Sequence, residues 1–428
     1  MRSGTEPGRG RARAPKILDV PIYLDHAATS PMPQAVLDVY TTELSRRANP
    51  SSLHAVGQAG RMRLETARDD IARALGATSS SEVVFTSGGT EADNLAVKGL
   101  YLSRNNGSFA EPARPLVLTS AIEHHAILDS VDWLESQGAE IVLLDVDETG
   151  RIDLPAAEAA LRRDPDRTAL LSVMAANNEI GTIQPIAELG RLARDLGIPF
   201  HIDAVQALGQ IPLDFAALEA TAMTITAHKI GGPVGIGALL LDRAAAPTPI
   251  LHGGGQERSV RSGTLDVAGA VAFAAAVDLA TSDLDSRAAK FSDLRDRLIA
   301  GVEATIEGAT LSGPRGTGRL PGSAHFTFAG CEGDSLLFGL DARGIATSTG
   351  SACSAGVSRP SHVLLAAGMS EDVARSAQRF TVGHDTAVSD IDALLEALPA
   401  VVDQARRAGM VSATPRWRQT AHESQESA

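Results

Sequence analysis

Val83-Val84-Phe85-Thr86-Ser87-Gly88-Gly89-Thr90-Glu91 is a short β-branched apolar run that passes through two glycines into a helical pattern. The same order, a β-run followed by a helical pattern, recurs through residues 83–242. It is the signature of parallel strands joined by crossover helices. The spacing predicts strands over 83–86, 116–120, 140–145, 169–174, 200–203, 223–226 and 237–242. Apolar residues at three- and four-residue intervals predict helices over 90–102, 127–137, 154–162 and 186–196. The expected fold class is α/β, with a mostly parallel seven-stranded sheet covered by helices.

Downstream, an Ala-rich stretch over 267–304 leads to fewer strand signals, at 324–328 and 376–382, with helical patterns over 335–340, 362–367 and 391–407. These predict a smaller α+β domain. The expected division is a large domain over 17–264 and a small one over 265–409. The polar, turn-prone stretches 1–16 and 410–428 are expected to be disordered.

At 428 residues the chain is long enough for more than one core, and 44% hydrophobic with 21% charged residues is an ordinary globular composition. Against 52 Asp and Glu stand 38 Lys and Arg, and the net charge of -14 argues against a general binder of nucleic acid or anionic membrane. No run of about 18 apolar residues predicts a membrane span, and no signal-peptide pattern is read at the start. Two cysteines, Cys331 and Cys353, exclude a disulfide framework and any thiolate-rich metal site of the chain's own. A reducing, cytoplasmic setting is expected.

Chemistry-bearing residues fall at predicted strand ends, which in an open parallel sheet converge on one crevice. In Thr226-Ala227-His228-Lys229-Ile230-Gly231-Gly232 a lysine closes a strand. Taken alone it reads as a solvated lysine at a turn; desolvated, it is an amine free to form a Schiff base. Asp203, in His201-Ile202-Asp203-Ala204-Val205-Gln206, ends the preceding strand. It reads either as a helix cap or as the carboxylate that keeps a pyridine nitrogen protonated, which turns pyridoxal phosphate into an electron sink. Gly88-Gly89-Thr90 would present N–H groups and a hydroxyl to a phosphate. It lacks the Walker lysine and the dinucleotide spacing. In Glu123-His124-His125, adjacent histidines do not suit one metal ion, whereas an imidazole could stack on a cofactor ring and move protons. Cys353, in Ser351-Ala352-Cys353-Ser354-Ala355-Gly356, sits among small residues and reads as an accessible nucleophilic thiol. Cys331 reads as structural or incidental.

These motifs, taken in order, resemble the NifS/IscS-type cysteine desulfurases of the class V, fold type I pyridoxal-phosphate enzymes. The resemblance spans about residues 23–407. Its markers are Tyr23-Leu24-Asp25-His26-Ala27-Ala28-Thr29, Asn49-Pro50-Ser51-Ser52, Thr86-Ser87-Gly88-Gly89-Thr90-Glu91-Ala92-Asp93-Asn94, Glu123-His124-His125, Asn177-Asn178-Glu179-Ile180-Gly181, Asp203, His228-Lys229, His252-Gly253-Gly254-Gly255-Gln256-Glu257-Arg258, Arg261-Ser262-Gly263-Thr264 and Ser351-Ala352-Cys353.

The resemblance implies pyridoxal 5′-phosphate as cofactor. Lys229 would hold it covalently, Asp203 would pair with the ring nitrogen, Gln206 with the ring hydroxyl, and His124 would stack on the ring. Gly89, Thr90, Thr226 and His228 would hold the phosphate, with Thr264 reaching in from the second subunit of a homodimer. Asn49, Asn178 and Arg379 would bind the substrate carboxylate, and Cys353 would carry the sulfur as a persulfide. L-cysteine is the implied substrate and L-alanine the product. The implied partner is a sulfur-acceptor protein, an iron-sulfur scaffold or a tRNA-thiolating enzyme, so that any metal cluster Cys353 meets belongs to that partner.

Two departures stand out. Thr226-Ala227 replace the family's Ser-Gly before the His-Lys pair, and residues from Met410 onward do not resemble the tail on which scaffold proteins dock in many relatives. The alternatives are another class V enzyme, a selenocysteine lyase or an aminotransferase in which Cys353 is incidental, and a non-catalytic sulfur-trafficking scaffold.

Overall fold

The computed structural model describes residues 21–47, 49–350 and 360–412, with side chains to residue 408. The extension expected over 1–16 lies outside the described residues. So does the tail from residue 413 on, while the last helix, Val388–Ser412, continues past the tail's expected start at 410.

The seven predicted strands form one sheet. Across it run Val83–Thr86, Gly237–Leu241, Ala222–Thr226, Phe200–Asp203, Thr168–Met174, Leu116–Ser120 and Glu140–Leu144. All pairings are parallel except the two made by Gly237–Leu241, so that strand alone runs against the rest. Successive residues feed opposite faces. Val83 and Phe85 join the larger core while Val84 joins the other, and Leu171 and Leu170 divide the same way. A sheet covered on both sides needs apolar residues at every position, and the strands therefore read as unbroken apolar runs. Helices Gly89–Arg104 and His125–Ser136 cover one face; Ala55–Ala74, Leu154–Arg163, Ile186–Asp195 and Val267–Thr281 cover the other.

A second core surrounds a three-stranded antiparallel sheet of Ala309–Leu311, Ser323–Phe328 and Ala377–Thr381, with helices Leu284–Thr305, Gly333–Asp341 and Val388–Ser412. Two findings move its limits from those expected. Helix Val267–Thr281, beyond the expected limit after Thr264, packs in the large core on Gln34–Leu44 and Ala55–Ala74. The helix is alanine on nearly every side, and a helix apolar all round carries no sequence sign of which core it joins. Ile22–Tyr23 pairs in parallel with Ile345–Ala346 and Leu24 sits in the small core, so the chain enters the small unit first and then crosses over. Among the described residues no single helix is long and apolar enough to cross a membrane.

A buried ion pair ties the start of the large domain to its end. Arg68, on helix Ala55–Ala74, makes two bonds to Glu257, 2.7 and 2.8 Å, and also donates to the Val83 carbonyl. Glu257 further accepts the Phe85 N–H at 3.0 Å. Among the described residues, removing Glu257 leaves the buried guanidinium with only Glu65, half-exposed and 3.3 Å away, as counter-charge. Glu257→Ala is expected to destabilise the fold by about 3–5 kcal/mol, read as a lower urea midpoint with an unchanged slope.

Candidate active site

The carboxyl ends of the parallel strands open onto a cavity of about 430 Å³, within the range of roughly 300–1,000 Å³ usual for small-molecule sites. Asp203 is the last residue of its strand. Lys229 follows the adjacent strand Ala222–Thr226 in a single 3-10 turn, His228–Ile230. Gly231 closes that turn at φ 82°, and a Cβ there would lie 2.7 Å from Pro33 Cδ. The glycine thus lets the turn sit against the segment that receives the lysine. Lys229 Nζ donates to the carbonyls of Ala27 at 2.5 Å and Ala28 at 2.9 Å. Burial, reinforced by Arg379, lowers its pKa to about 8.

Asp203 is 6% exposed and accepts the Val205 N–H at 2.9 Å. Burial pushes its carboxyl up to about 6. The residue binds the backbone just beyond its strand, where turns rather than a helix follow, and it lines the cavity.

Across the cavity, Gly89 and Thr90 open the helix Gly89–Arg104, and Thr226 and His228 face the same space. Gly88 takes φ 155° at the helix N-cap, and a Cβ on Gly89 would fall 2.9 Å from Val205 Cγ2. The two glycines let an anion reach the free N–H groups of the first turn. Glu91, beside that turn, is neutralised by Arg261 at 2.8 Å.

His124 lines the cavity and caps the helix His125–Ser136, its Nδ1 accepting the Ala126 N–H at 3.1 Å. Burial, with Lys229 nearby, lowers its pKa to about 4, so the ring is neutral at physiological pH. Gln206 lines the cavity and donates to the Ala27 carbonyl at 2.9 Å.

Arg379, from the small domain, is 5% exposed and reaches the same space. Its Nη2 binds Asp25 Oδ1 at 2.8 Å and its Nη1 the Asn178 carbonyl at 2.9 Å, while its Nε has no partner among the described residues. Asn178 lines the cavity, and the bond to Arg379 uses its main chain.

Among the described residues, two expected site residues, Asn49 and Thr264, do not line this cavity. Asn49 is exposed and its Oδ1 accepts the Ser51 N–H at 3.0 Å in a local turn. Thr264 is exposed and outside the lining. Cys353 lies outside the described residues, though Ser348, Gly350 and His362, on either side of its segment, line the cavity. Cys331 is buried, as a structural cysteine should be. Residue-by-residue reading missed Asp25, the counter-ion of Arg379, and Asp93, a buried acid in the cavity wall.

A family model described as aminotransferase class-V matches residues 22–394. The chain is 51% identical over 392 residues to an IscS-like cysteine desulfurase of Mycobacterium tuberculosis, covering 91% of this chain and 98% of that one. This chain belongs to the class-V aminotransferase family, among the IscS/NifS-type cysteine desulfurases. A cysteine desulfurase IscS of Dictyoglomus turgidum is 42% identical, with 90% and 95% of the two chains covered. Among solved structures, a NifS-like protein from Rickettsia africae superposes with a TM-score of 0.80 at 33% identity, over 90% of this desulfurase and 99% of that chain. The structure described as SspA in complex with cysteine gives 0.72 at 33%, over 84% and 98%.

The family implies pyridoxal phosphate. The desulfurase's own residues fit that group: an amine of lowered pKa, a buried carboxylate and a glycine-lined N–H cradle all front one cavity.

Proposed function

We propose that this desulfurase holds pyridoxal 5′-phosphate in the cavity between its two domains, binds L-cysteine by its carboxylate at Arg379 and Asn178, and receives the sulfur on Cys353. The observation that carries the reading is that Lys229, Asp203 and Arg379, from three separate segments, open onto one space.

Gly89, Thr90, Thr226 and His228 would hold the phosphate, Asp203 the ring nitrogen, Gln206 the ring hydroxyl and Lys229 the aldehyde carbon. Bound there, the cofactor supplies a carbonyl with which amines condense and a protonated ring that takes up electrons released at the substrate Cα. The chain's residues do the rest. With a pKa near 8, about one Lys229 in ten is neutral at pH 7 and able to take the Cα proton. Asp203 keeps the ring nitrogen protonated by staying ionised. His124, neutral and capping a helix, covers the ring without repelling Lys229. Arg379 exchanges Asp25 for the substrate carboxylate, a pairing its planar fork can make with two parallel bonds.

The thiolate of Cys353 then attacks the substrate sulfur. An S–S bond forms, the substrate C–S bond breaks, and its electron pair stays with the carbon skeleton, which leaves as L-alanine. One thiol and one L-cysteine give one persulfide and one L-alanine, with no outside oxidant or reductant. The exposed Thr264, outside its own cavity, supports a homodimer in which each subunit completes the other's phosphate site. The persulfide would pass to an acceptor protein, an iron-sulfur scaffold or a tRNA-thiolating enzyme. Labelled sulfur loaded on Cys353 from cysteine would identify it.

The cofactor reading is tested by titrating the apoprotein with pyridoxal phosphate across pH. Asp203, with a pKa near 6, is ionised above that value and neutral below it. The Asp203 contribution to affinity should hold steady above pH 7 and fall by about tenfold per unit below 6. Asp203→Asn should flatten that dependence at uniformly weaker binding. A pH-independent wild type, or no binding at all, would overturn the assignment.

A further inference from the structure

Next to Asp203 sits a second buried acid that the reaction above does not use. Asp93, in the second turn of the helix Gly89–Arg104, is 2% exposed and lines the same cavity as Asp203 and Lys229. Its Oδ1 has no hydrogen-bond partner among the described residues, and His201 Nε2, at 3.7 Å, is beyond bonding distance. The Thr224 hydroxyl lies close enough to act on the carboxyl, favouring its ionised form, an effect smaller than the opposing ones of burial and Asp203. Thr224 Oγ1 is 3.0 Å from His201 Nε2, and His201 Nδ1 is 2.9 Å from Ser172 Oγ. All four side chains are buried, on three adjacent strands and the helix above them.

We propose that Asp93 is a positioning residue held as the neutral acid, hydrogen-bonded into a Thr224–His201–Ser172 relay, so that Asp203 is the ionised carboxylate offered to the cofactor. What Asp203 faces rests on the cofactor reading above; the protonation of Asp93 is a property of the chain alone.

The hydrogens can be counted. With Asp93 neutral, its O–H donates to Thr224 Oγ1, the Thr224 O–H donates to His201 Nε2, and His201 Nδ1–H donates to Ser172 Oγ. Each donor meets one acceptor, the imidazole is neutral, and Oδ1 is left as a carbonyl oxygen, the cheapest group to leave unpaired. With Asp93 ionised, the relay must reverse and supplies one donor, leaving a charged oxygen bare in the interior.

The surrounding charges favour the first arrangement. Asp203, on the neighbouring strand, and Glu123, after the strand Leu116–Ser120, are both acids, and burial together with Asp203 pushes the Asp93 carboxyl well up. Glu123 is itself pushed up to about 8 by burial. His201 offers no cation, because burial lowers its pKa to about 3. Lys229 also lines this cavity, and its Nζ is committed to the Ala27 and Ala28 carbonyls.

Asp93→Asn preserves the shape and a donor but cannot ionise. Infrared spectra of the full wild-type chain minus those of Asp93→Asn at neutral pH, recorded both with and without pyridoxal phosphate, should show a protonated-carboxyl C=O stretch, while the Glu123 band cancels. The variant's bound-cofactor absorbance should keep its pH midpoint. Asp93→Ala should admit water beside Asp203, relieve the burial that holds its carboxyl up, move that midpoint to lower pH and weaken the cofactor about tenfold. A purely structural role would lower the unfolding temperature without moving the midpoint. Loss of an ionised-carboxylate band in Asp93→Asn, or a midpoint displaced as in Asp93→Ala, would overturn the proposal. A wild type that took up no pyridoxal phosphate would sink the cofactor reading, while the infrared comparison would still decide Asp93.

Discussion

Lys229→Ala is expected to cut alanine and sulfur release from L-cysteine by about three orders of magnitude or more. No other lysine is among the described lining residues, so no second amine can replace it at the cofactor carbon or at the Cα proton. Lys229→Arg should be equally inactive. A guanidinium keeps the charge but has no neutral, nucleophilic form at any working pH. Borohydride reduction followed by mass analysis checks the covalent part: cofactor mass should remain on the wild-type chain and on neither variant. Turnover within tenfold of wild type in Lys229→Ala would remove the lysine from the mechanism.

Cys353→Ala should have an effect of similar size with a different signature. Cofactor affinity, absorbance and substrate binding at Arg379 should persist, because the residues assigned to them lie elsewhere in the chain. Persulfide formation and transfer should fall by about three orders of magnitude or more, since the nucleophile itself is gone. Mass analysis after incubation with L-cysteine reads this directly, as a gain of one sulfur on the wild-type chain alone. An unchanged rate of alanine release would show that the sulfur leaves by another route and that Cys353 is incidental, as it would be in an aminotransferase.

The large sheet and the ends of its strands were legible in the sequence because strands buried on both faces are continuous apolar runs. Asp203 and Lys229 stand directly where two such runs stop. The small domain was less so. Ile22–Tyr23 and Ile345–Ala346 are two residues each, too short for any periodicity. The alanine-rich helix 267–281 has no polar face from which to read its side. Asp93 escaped because an acid in the second turn of a helix looks solvated until a strand bearing Asp203 is laid beside it. Asp25 escaped for a related reason: its partner Arg379 is 354 positions away, and nothing local marks the pairing.

The crossing segment near the start of the chain has a mechanical meaning. Within six residues, Tyr23 is zipped to Ala346, Asp25 holds Arg379, and Ala27 and Ala28 grip the Lys229 amine. The counter-ion of Arg379 and the acceptors of the Lys229 amine thus sit on one short strap stretched between the two cores. In the proposed reaction, a substrate carboxylate that displaces Asp25 slackens the strap at one end while the lysine is still tied to the other. In that reaction the arrival of substrate at Arg379 is thereby wired to the tether of the base that acts on it.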